Sequence, residues 1–321
     1  MRTVLDKLVL ALMVAAVPPV LAQQPHVPDV MRIVVPFGPG GSNDVIARSI
    51  SPVMAKRLGN SIVVENRAGA SGAIGAGYVA KGPKDGSLLL LTSSTLVTAA
   101  AITPSTPYDI NTAFTPVAMV GQGPLLIAVS ASTSIRTPAD LVAAARAKPD
   151  QLTYGSAGIG SIAHMATEML GSAAKIQLRH VPYKGAADAL LDLASGRIDI
   201  MISNYSSLVP QLKAGRVRAI AVTSPLQAET FPDLPTVASV APGYAADVWV
   251  SVFAPAGTPG ALVNRLNAEI IAVAQAADVR SLLVSDGTVP APLLPAEVAK
   301  RIMEDLARWK QIAQEKKIVA E

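Results

Sequence analysis

Two stretches of this chain combine glycines with hydroxyl and amide side chains in the order that an anion site requires. "VPFGPGGSNDVIAR" (35–48) leaves an apolar run, passes Gly38, Gly40 and Gly41, and enters a helical pattern behind Ser42-Asn43-Asp44. "GSAGIGSIAH" (155–164) repeats the plan with Gly155, Gly158 and Gly160, then Ser161. Glycine lets backbone amides approach a ligand closely, and a helix N-terminus adds unpaired N–H groups and the favourable end of its dipole. The candidate binding residues are Phe37, Gly40, Gly41 and Ser42 in the first loop. Ser156, Gly158, Ile159, Gly160 and Ser161 are their counterparts in the second, with Ser93 and Asn204 at two further strand ends. The competing role for Ser42, Asn43, Asp44 and Ser161 is to cap their own helices. "VVENRAGASGAIGAGYVA" (63–80) has the same order of parts a third time.

Other chemistries find less support. The first loop has no Gly-Lys-Ser/Thr, so it is not a nucleoside triphosphate loop. "GIGSIA" (158–163) fits a dinucleotide fingerprint, but Arg179-His180 stand where an acidic residue is expected at the end of the next strand. No Gly-x-Ser-x-Gly elbow occurs, and His26, His164 and His180 show no metal-ligand spacing, so His164 and His180 read as structural. Asp44 and Arg48, at i and i+4, read as a surface pair. Arg67 is the one alternative direct clamp, with Glu65 and Asn66 beside it to neutralise it. The loops expected at the cleft (37–42, 93–95, 156–161 and 203–206) contain no Asp or Glu. A bound ammonium group would find no partner there, so a plain carboxylate suits them better than an amino acid.

The elements that must position these loops follow from the apolar pattern. Strands are expected over 31–36, 61–65, 88–92, 125–130, 152–155, 176–182, 198–202 and 217–222, alternating with helices, which argues for an α/β fold with largely parallel sheets. The helix over 43–59 places Ile46, Ile50, Val53, Met54 and Leu58 on one face, with Pro52 expected to kink it or cost a backbone hydrogen bond. "VWVSVFAP" (248–255) and helical patterns near 260–277 and 296–315 read as a return to the first domain. Domain 1 is therefore expected over 23–125 and 224–321, with 126–223 inserted as domain 2 and crossings near 123–126 and 222–225.

Arg2 and Lys7 precede the apolar run Leu8 to Val17, and Val20-Leu21-Ala22 follows, so residues 1–22 read as a cleaved secretory signal peptide. The apolar run is about half of the roughly 20 residues a membrane span needs. The chain has 0 Cys, which excludes disulfides and a cysteine-borne lipid anchor. Net charge is +4 over all 321 residues, with no run of five like charges and no aromatic-basic stripe, so nucleic-acid binding has no footprint.

"VPFGPGGSNDVIAR", "VVENRAGASGAIGA", "KDGSLLL", "YGSAGIGSIAH", "HVPYKGAADALLDLASGRID", "LKAGRVRAIAVTS", "FPDLPTV" and "FAPAGTP" resemble, in order and spacing, the substrate-binding receptors of tripartite tricarboxylate transporters, often called Bug-type receptors. The resemblance runs from about residue 30 to the C-terminus. It implies a monomeric, cofactor-free periplasmic binding protein of the type II-like, Venus-flytrap kind, with a ligand cleft between two domains. Such a receptor is not an enzyme: it closes on a small organic carboxylate and delivers it to integral-membrane transporter subunits. It also implies a carboxylate gripped by backbone amides, hydroxyls and waters from Phe37 to Ser42 and Ser156 to Ser161. Ser87 stands where an aromatic is usual in the family, and Asn204 near a position where many relatives have Asp. The runner-up reading is an NADP-linked enzyme in the same cleft; a carboxylate sensor is a third.

Overall fold

The computed structural model describes residues 25–103, 106–183 and 185–319; the leader read over 1–22 lies outside the described residues. The chain opens with β1 (Val30–Val35), α1 (Ser42–Leu58), β2 (Ser61–Asn66), α2 (Ala73–Ala80), β3 (Leu88–Ser93), α3 (Thr95–Ile102) and β4 (Phe114–Pro124). It continues through β5 (Leu126–Ser130), α4 (Pro138–Ala147), β6 (Thr153–Ser156), α5 (Ile162–Ala174), β7 (Arg179–Pro182), α6 (Ala186–Ser195), β8 (Ile200–Ser203), α7 (Tyr205–Lys213) and β9 (Val217–Val222). It closes with β10 (Asp247–Pro255), α8 (Gly260–Gln275), α9 (Ala277–Ser285), β11 (Val289–Pro290) and α10 (Pro295–Lys316).

These strands form two sheets, so the molecule is an α/β protein of two sheet-containing domains. One is six-stranded in the order β11-β4-β10-β3-β1-β2; the other is five-stranded in the order β7-β6-β8-β5-β9. The first draws strands from both ends of the chain and the second only from the segment between. The sheets are mixed rather than largely parallel. β1 pairs parallel with β2 and β3, but β10 lies antiparallel to β3 and β4. β6 is parallel to β7 and β8, while β5 is antiparallel to β8 and β9. The βαβ units supply the parallel pairs; β5 and β10, on which the chain enters each sheet from the other, run against them.

β4 is an 11-residue strand that the apolar pattern does not announce, because Pro116, Gly121, Gly123 and Pro124 read as breakers. Its pairing with β10 has two register shifts, and a Cβ on Gly123 would sit 2.3 Å from the Gly287 carbonyl oxygen. Close backbone approach, not a turn, demands that glycine. β7 begins at Arg179 and so is shorter than the run 176–182 suggests. α1 is helical on both sides of Pro52, and Pro52, lacking an N–H, costs it one backbone hydrogen bond. Pro52 and Arg48 are both exposed, so water can serve the Arg48 carbonyl that the proline leaves unbonded.

The two crossings are tied by one buried side chain. Thr223 Oγ accepts from the Leu125 amide at 2.7 Å and donates to the Ala246 carbonyl at 2.7 Å, joining the exit from β4, the end of β9 and the entry to β10. Alongside, α10 turns Val298, Ile302, Asp305, Leu306, Trp309 and Ile312 inward. Trp249 Nε1 donates to Asp305 Oδ2 at 2.8 Å, and Arg308 and Arg301 engage the same carboxylate at 2.7 and 3.2 Å, which compensates the burial of that charge.

In the five-stranded domain, Tyr154, His180 and His164 form a continuous stack with ring centroids 4.7 and 4.1 Å apart. Burial pulls the His164 pKa down to about 4; burial, then the neighbouring His164, pulls His180 down to about 4, with Glu168 opposing. Against an ordinary value of 6.5, the unfolded chain binds more protons than the folded one between pH 6.5 and about 4. The stack therefore contributes its full stability above that window and loses it as pH falls. Buried Asp247, raised to about 6 by desolvation, acts in the opposite sense. The His164→Asn variant keeps an acceptor near the Nδ1 position and should flatten the stability-versus-pH slope in this window by up to about 1.4 kcal/mol per pH unit. Urea titrations at pH 4.5, 5.5 and 6.5 check this, and equal slopes in the two proteins contradict it.

Candidate functional site

A cavity of about 410 Å³ lies where the two sheets face one another, at the carboxyl ends of β1, β3, β6 and β8. This is the edge at which open α/β sheets bind ligands. Five helices begin at its wall: α1 behind Gly41, α3 at Thr95, α5 behind Ser161, α6 behind Gly185 and α7 behind Asn204. α1, α3, α6 and α7 have no side-chain cap, so no capping side chain claims their first-turn amides, although in α3 Val97 N donates to the Ser94 carbonyl at 3.0 Å. Of the helices that begin elsewhere, α4 carries a full capping box of Thr137 and Asp140, while α2, α8 and α9 also start without a side-chain cap. Among the described residues, no Asp, Glu, Lys, Arg or His lines this cavity. Phe37, Leu125, Ile162, Met201 and Val248 supply an apolar wall, and Ser93, Ser203, Asn204 and Ser207 supply polar groups.

Of the residues singled out from sequence, Phe37, Gly41, Ser42, Ser93, Ser161 and Asn204 reach this wall. Gly40, Ser156, Gly158, Ile159 and Gly160 do not. The Gly40 amide donates to Asp44 Oδ2 at 2.9 Å, Gly158 N to Ser156 Oγ at 3.1 Å, and Gly160 N to His164 Nδ1 at 3.1 Å. Three of the glycine amides offered to a ligand are thus spent on shaping their own loops. Ser156 is fully buried with its hydroxyl 2.7 Å from His180 Nε2, and Ile159 is 44% exposed outside the cavity. Ser161 does cap α5, accepting from the His164 amide at 3.3 Å.

Asp44 proves to be a buried organiser rather than a surface partner of Arg48. It accepts from Gly40 N, from Arg48 Nε at 3.0 Å and from Asn66 Nδ2 at 2.9 Å. Burial alone would raise its pKa, but the Arg48, Gly40 and Asn66 hydrogen bonds outweigh that and hold it below the ordinary value. Asn66 also donates to the Phe37 carbonyl at 3.1 Å, so the third glycine loop supports the first from behind. Gly72 shows how closely: a Cβ there would meet Phe37 Cζ at 3.4 Å. Ala70 and Ser71 adopt φ of 47° and 51°, a left-handed conformation that costs roughly 1–2 kcal/mol per residue. Arg67 is turned away from the cavity, bonded to Glu65 at 2.6 Å and stacked 3.6 Å over Tyr78, so it does not clamp a guest.

Sequence reasoning missed the α6 entrance, Gly185-Ala186, although "HVPYKGAADALL" is a further strand-turn-helix unit that could have signalled it. It also missed Leu125 and Val248, which reach the wall because they sit at the crossings. A smaller pocket of about 220 Å³ adjoins the first, sharing Gly41, Ser42 and Ser207 and adding Ser206, Ser285 and Asp286. Asp286 carries no short-range signal in the sequence, since it enters from the turn after α9.

Comparison with known proteins agrees with this geometry. The family model of the tripartite tricarboxylate transporter family receptor matches residues 46–318. The UPF0065 protein in the tcbD-tcbE intergenic region of Pseudomonas sp. is 40% identical over 289 residues, covering 89% of this chain and 86% of the relative. Among solved structures, R. palustris Rpa4515 with adipate superposes with a TM-score of 0.82 at 35% identity, covering 90% of this chain and 98% of that one. MatC from Rhodopseudomonas palustris with bound malate gives 0.78 at 31% identity, covering 88% and 98%. The family and the related structures are substrate-binding receptors rather than enzymes, and this chain belongs to the tripartite tricarboxylate transporter receptor family.

Proposed function

We propose that this chain is a periplasmic receptor that captures a small organic carboxylate between its two domains and hands it to the membrane subunits of a tripartite transporter. One observation carries the reading: four uncapped helix starts and a fifth capped one converge on a cavity without a charged side chain among the described residues. Such a wall attracts an anion without an arginine. A partly buried helix end contributes up to about 2 kcal/mol and a hydrogen bond to a charged group about 1.5–3 kcal/mol. A few of these, net of desolvation, reach the roughly −8 kcal/mol of micromolar binding. A di- or tricarboxylate or an aromatic acid suits the mixture of amide-rich ends and apolar wall, and adipate and malate in the related structures are of this class. The committed amides of Gly158 and Gly160 speak against a dinucleotide at "GIGSIA". The basic and apolar leader pattern over 1–22 supports export, with the mature chain beginning near Gln23.

Calorimetry of the mature protein with adipate, malate, succinate, citrate, an aromatic dicarboxylate, aspartate, glutamate and NADP tests the class. A plain carboxylate should bind tightest, with aspartate and glutamate at least tenfold weaker; an amino acid or NADP as the tightest ligand contradicts the reading.

Asn204→Asp gives a sharper check, because it places a carboxylate at the start of α7 without changing shape. Affinity for the tightest dicarboxylate of the panel should fall at least tenfold while the melting temperature holds or rises, since Asp is a good helix cap. Unchanged affinity would remove Asn204 from the site.

A further inference from the structure

The smaller pocket beside the binding cavity has the opposite electrostatic character. Its walls come from the start of α1, the end of α9 with the turn behind it, and the start of α7. Asp286, in that turn, is the one ionisable side chain among the described residues that line it. It is 8% exposed, and no Lys, Arg or His among the described residues forms a salt bridge with it. Among the described residues one donor lies within hydrogen-bond distance of the carboxylate, the Ser42 hydroxyl, 2.7 Å from Oδ2. Burial pushes the Asp286 pKa up, as befits an anion short of compensation.

The next residue holds this carboxylate in place. Gly287 has φ +85°, and a Cβ on it would lie 3.0 Å from Tyr205 Cβ and 3.2 Å from Phe231 Cζ. The turn therefore packs on the start of α7, where Ser206 and Ser207 reach the same pocket. Ser285 lines it too, and its hydroxyl proton is given to the Leu282 carbonyl at 2.7 Å, so its oxygen has only lone pairs to offer. The Ser42 proton is likewise spent, on Asp286 itself. Val45, Ile46 and Leu282 form an apolar side.

We infer that this pocket is a second binding site, for a small primary alkylammonium ion whose N–H groups meet Asp286 and the serine oxygens while its chain lies on Val45, Ile46 and Leu282. Acceptors without a neutralising cation select a charged donor. A calcium or magnesium ion needs six or more oxygen ligands, and among the described residues no group of three His, Cys, Asp or Glu is placed to hold a metal. A quaternary ammonium has no N–H to give and is recognised by aromatic rings, none of which lines this pocket. A volume of about 220 Å³ leaves room for a short carbon chain. The two sites share Gly41, Ser42 and Ser207, so an anion in one and a cation in the other attract across a short distance. Nothing in this second site depends on which carboxylate the first one binds.

Calorimetry and melting curves of the full mature chain test the site with methyl-, ethyl-, propyl- and butylammonium chloride, against sodium and tetramethylammonium chloride at equal ionic strength. A primary alkylammonium should bind saturably in the millimolar range or tighter, and the two controls should not. Asp286→Asn removes the charge at nearly constant shape and should weaken that binding at least tenfold, as for loss of one charge-assisted hydrogen bond. Val45→Phe, at a helix position that is 42% exposed, narrows the apolar side and should weaken butylammonium several-fold more than methylammonium. This second variant decides the matter should Asp286→Asn fold poorly. No saturable binding of any primary ammonium, equal binding of sodium or tetramethylammonium, or affinities that neither substitution changes overturn the site. Because no carboxylate ligand is present, failure of the carboxylate panel and failure of the ammonium titration are separate outcomes.

Discussion

A helix leaves its first four amides without an internal acceptor, and in this protein four helices that leave them without a side-chain cap begin at one cavity. α1, α3, α6 and α7 all start at the wall of a single cavity without a side-chain cap. The rest of the fold can be understood as the apparatus that brings these ends together. Parallel strands at the centre of each domain point their carboxyl ends at the cleft, and the following helices necessarily begin there. The cost of unpaired donors is low while water fills the cavity; it becomes a driving force once an anion replaces that water.

Holding the two domains in register falls to a small set of buried polar contacts at the crossings. Thr223 bonds to Leu125 and Ala246, and α10 covers the junction with the Trp249–Asp305 hydrogen bond and its flanking arginines. The Thr223–Leu125 and Trp249–Asp305 pairs join partners 98 and 56 residues apart, so they are anchors only in the folded molecule, while Arg301 and Arg308 reach Asp305 from its own helix. Leu125 and Val248 lie at those same crossings and also touch the cavity, so the crossings form part of the wall of the site.

The glycine loops divide their work in a way that hydrogen-bond satisfaction explains. In the second loop the Gly158 and Gly160 amides are consumed by Ser156 and His164, and the Tyr154–His180–His164 stack fills the space beneath. In the first, Asp44 takes the Gly40 amide and is itself steadied by Asn66 from the third loop. Buried donors find partners wherever one is within reach. What remains for a ligand is therefore the set of amides with no side chain nearby to claim them, one step further into each helix.

Much of this protein is legible in its sequence. Apolar runs such as Leu88 to Leu91 and the spacing of Ile46, Ile50 and Met54 announce the α/β alternation, since periodicity and local propensity depend on neighbours in the chain. The glycine-serine loops mark where strands turn into helices, and the late "VWVSVFAP" strand announces that the C-terminal part rejoins the first sheet. β4 escapes such a reading because its glycines and prolines answer to contacts with β10 and the Gly287 turn. The partner of each loop amide, the burial of Ser156 and the arrival of Asp286 beside Ser42 were decided only by tertiary structure. The reason is physical: a sequence specifies which groups can donate and accept, but competition among acceptors is settled by distances that exist only after the chain, 244 residues apart in the case of Ser42 and Asp286, has closed on itself.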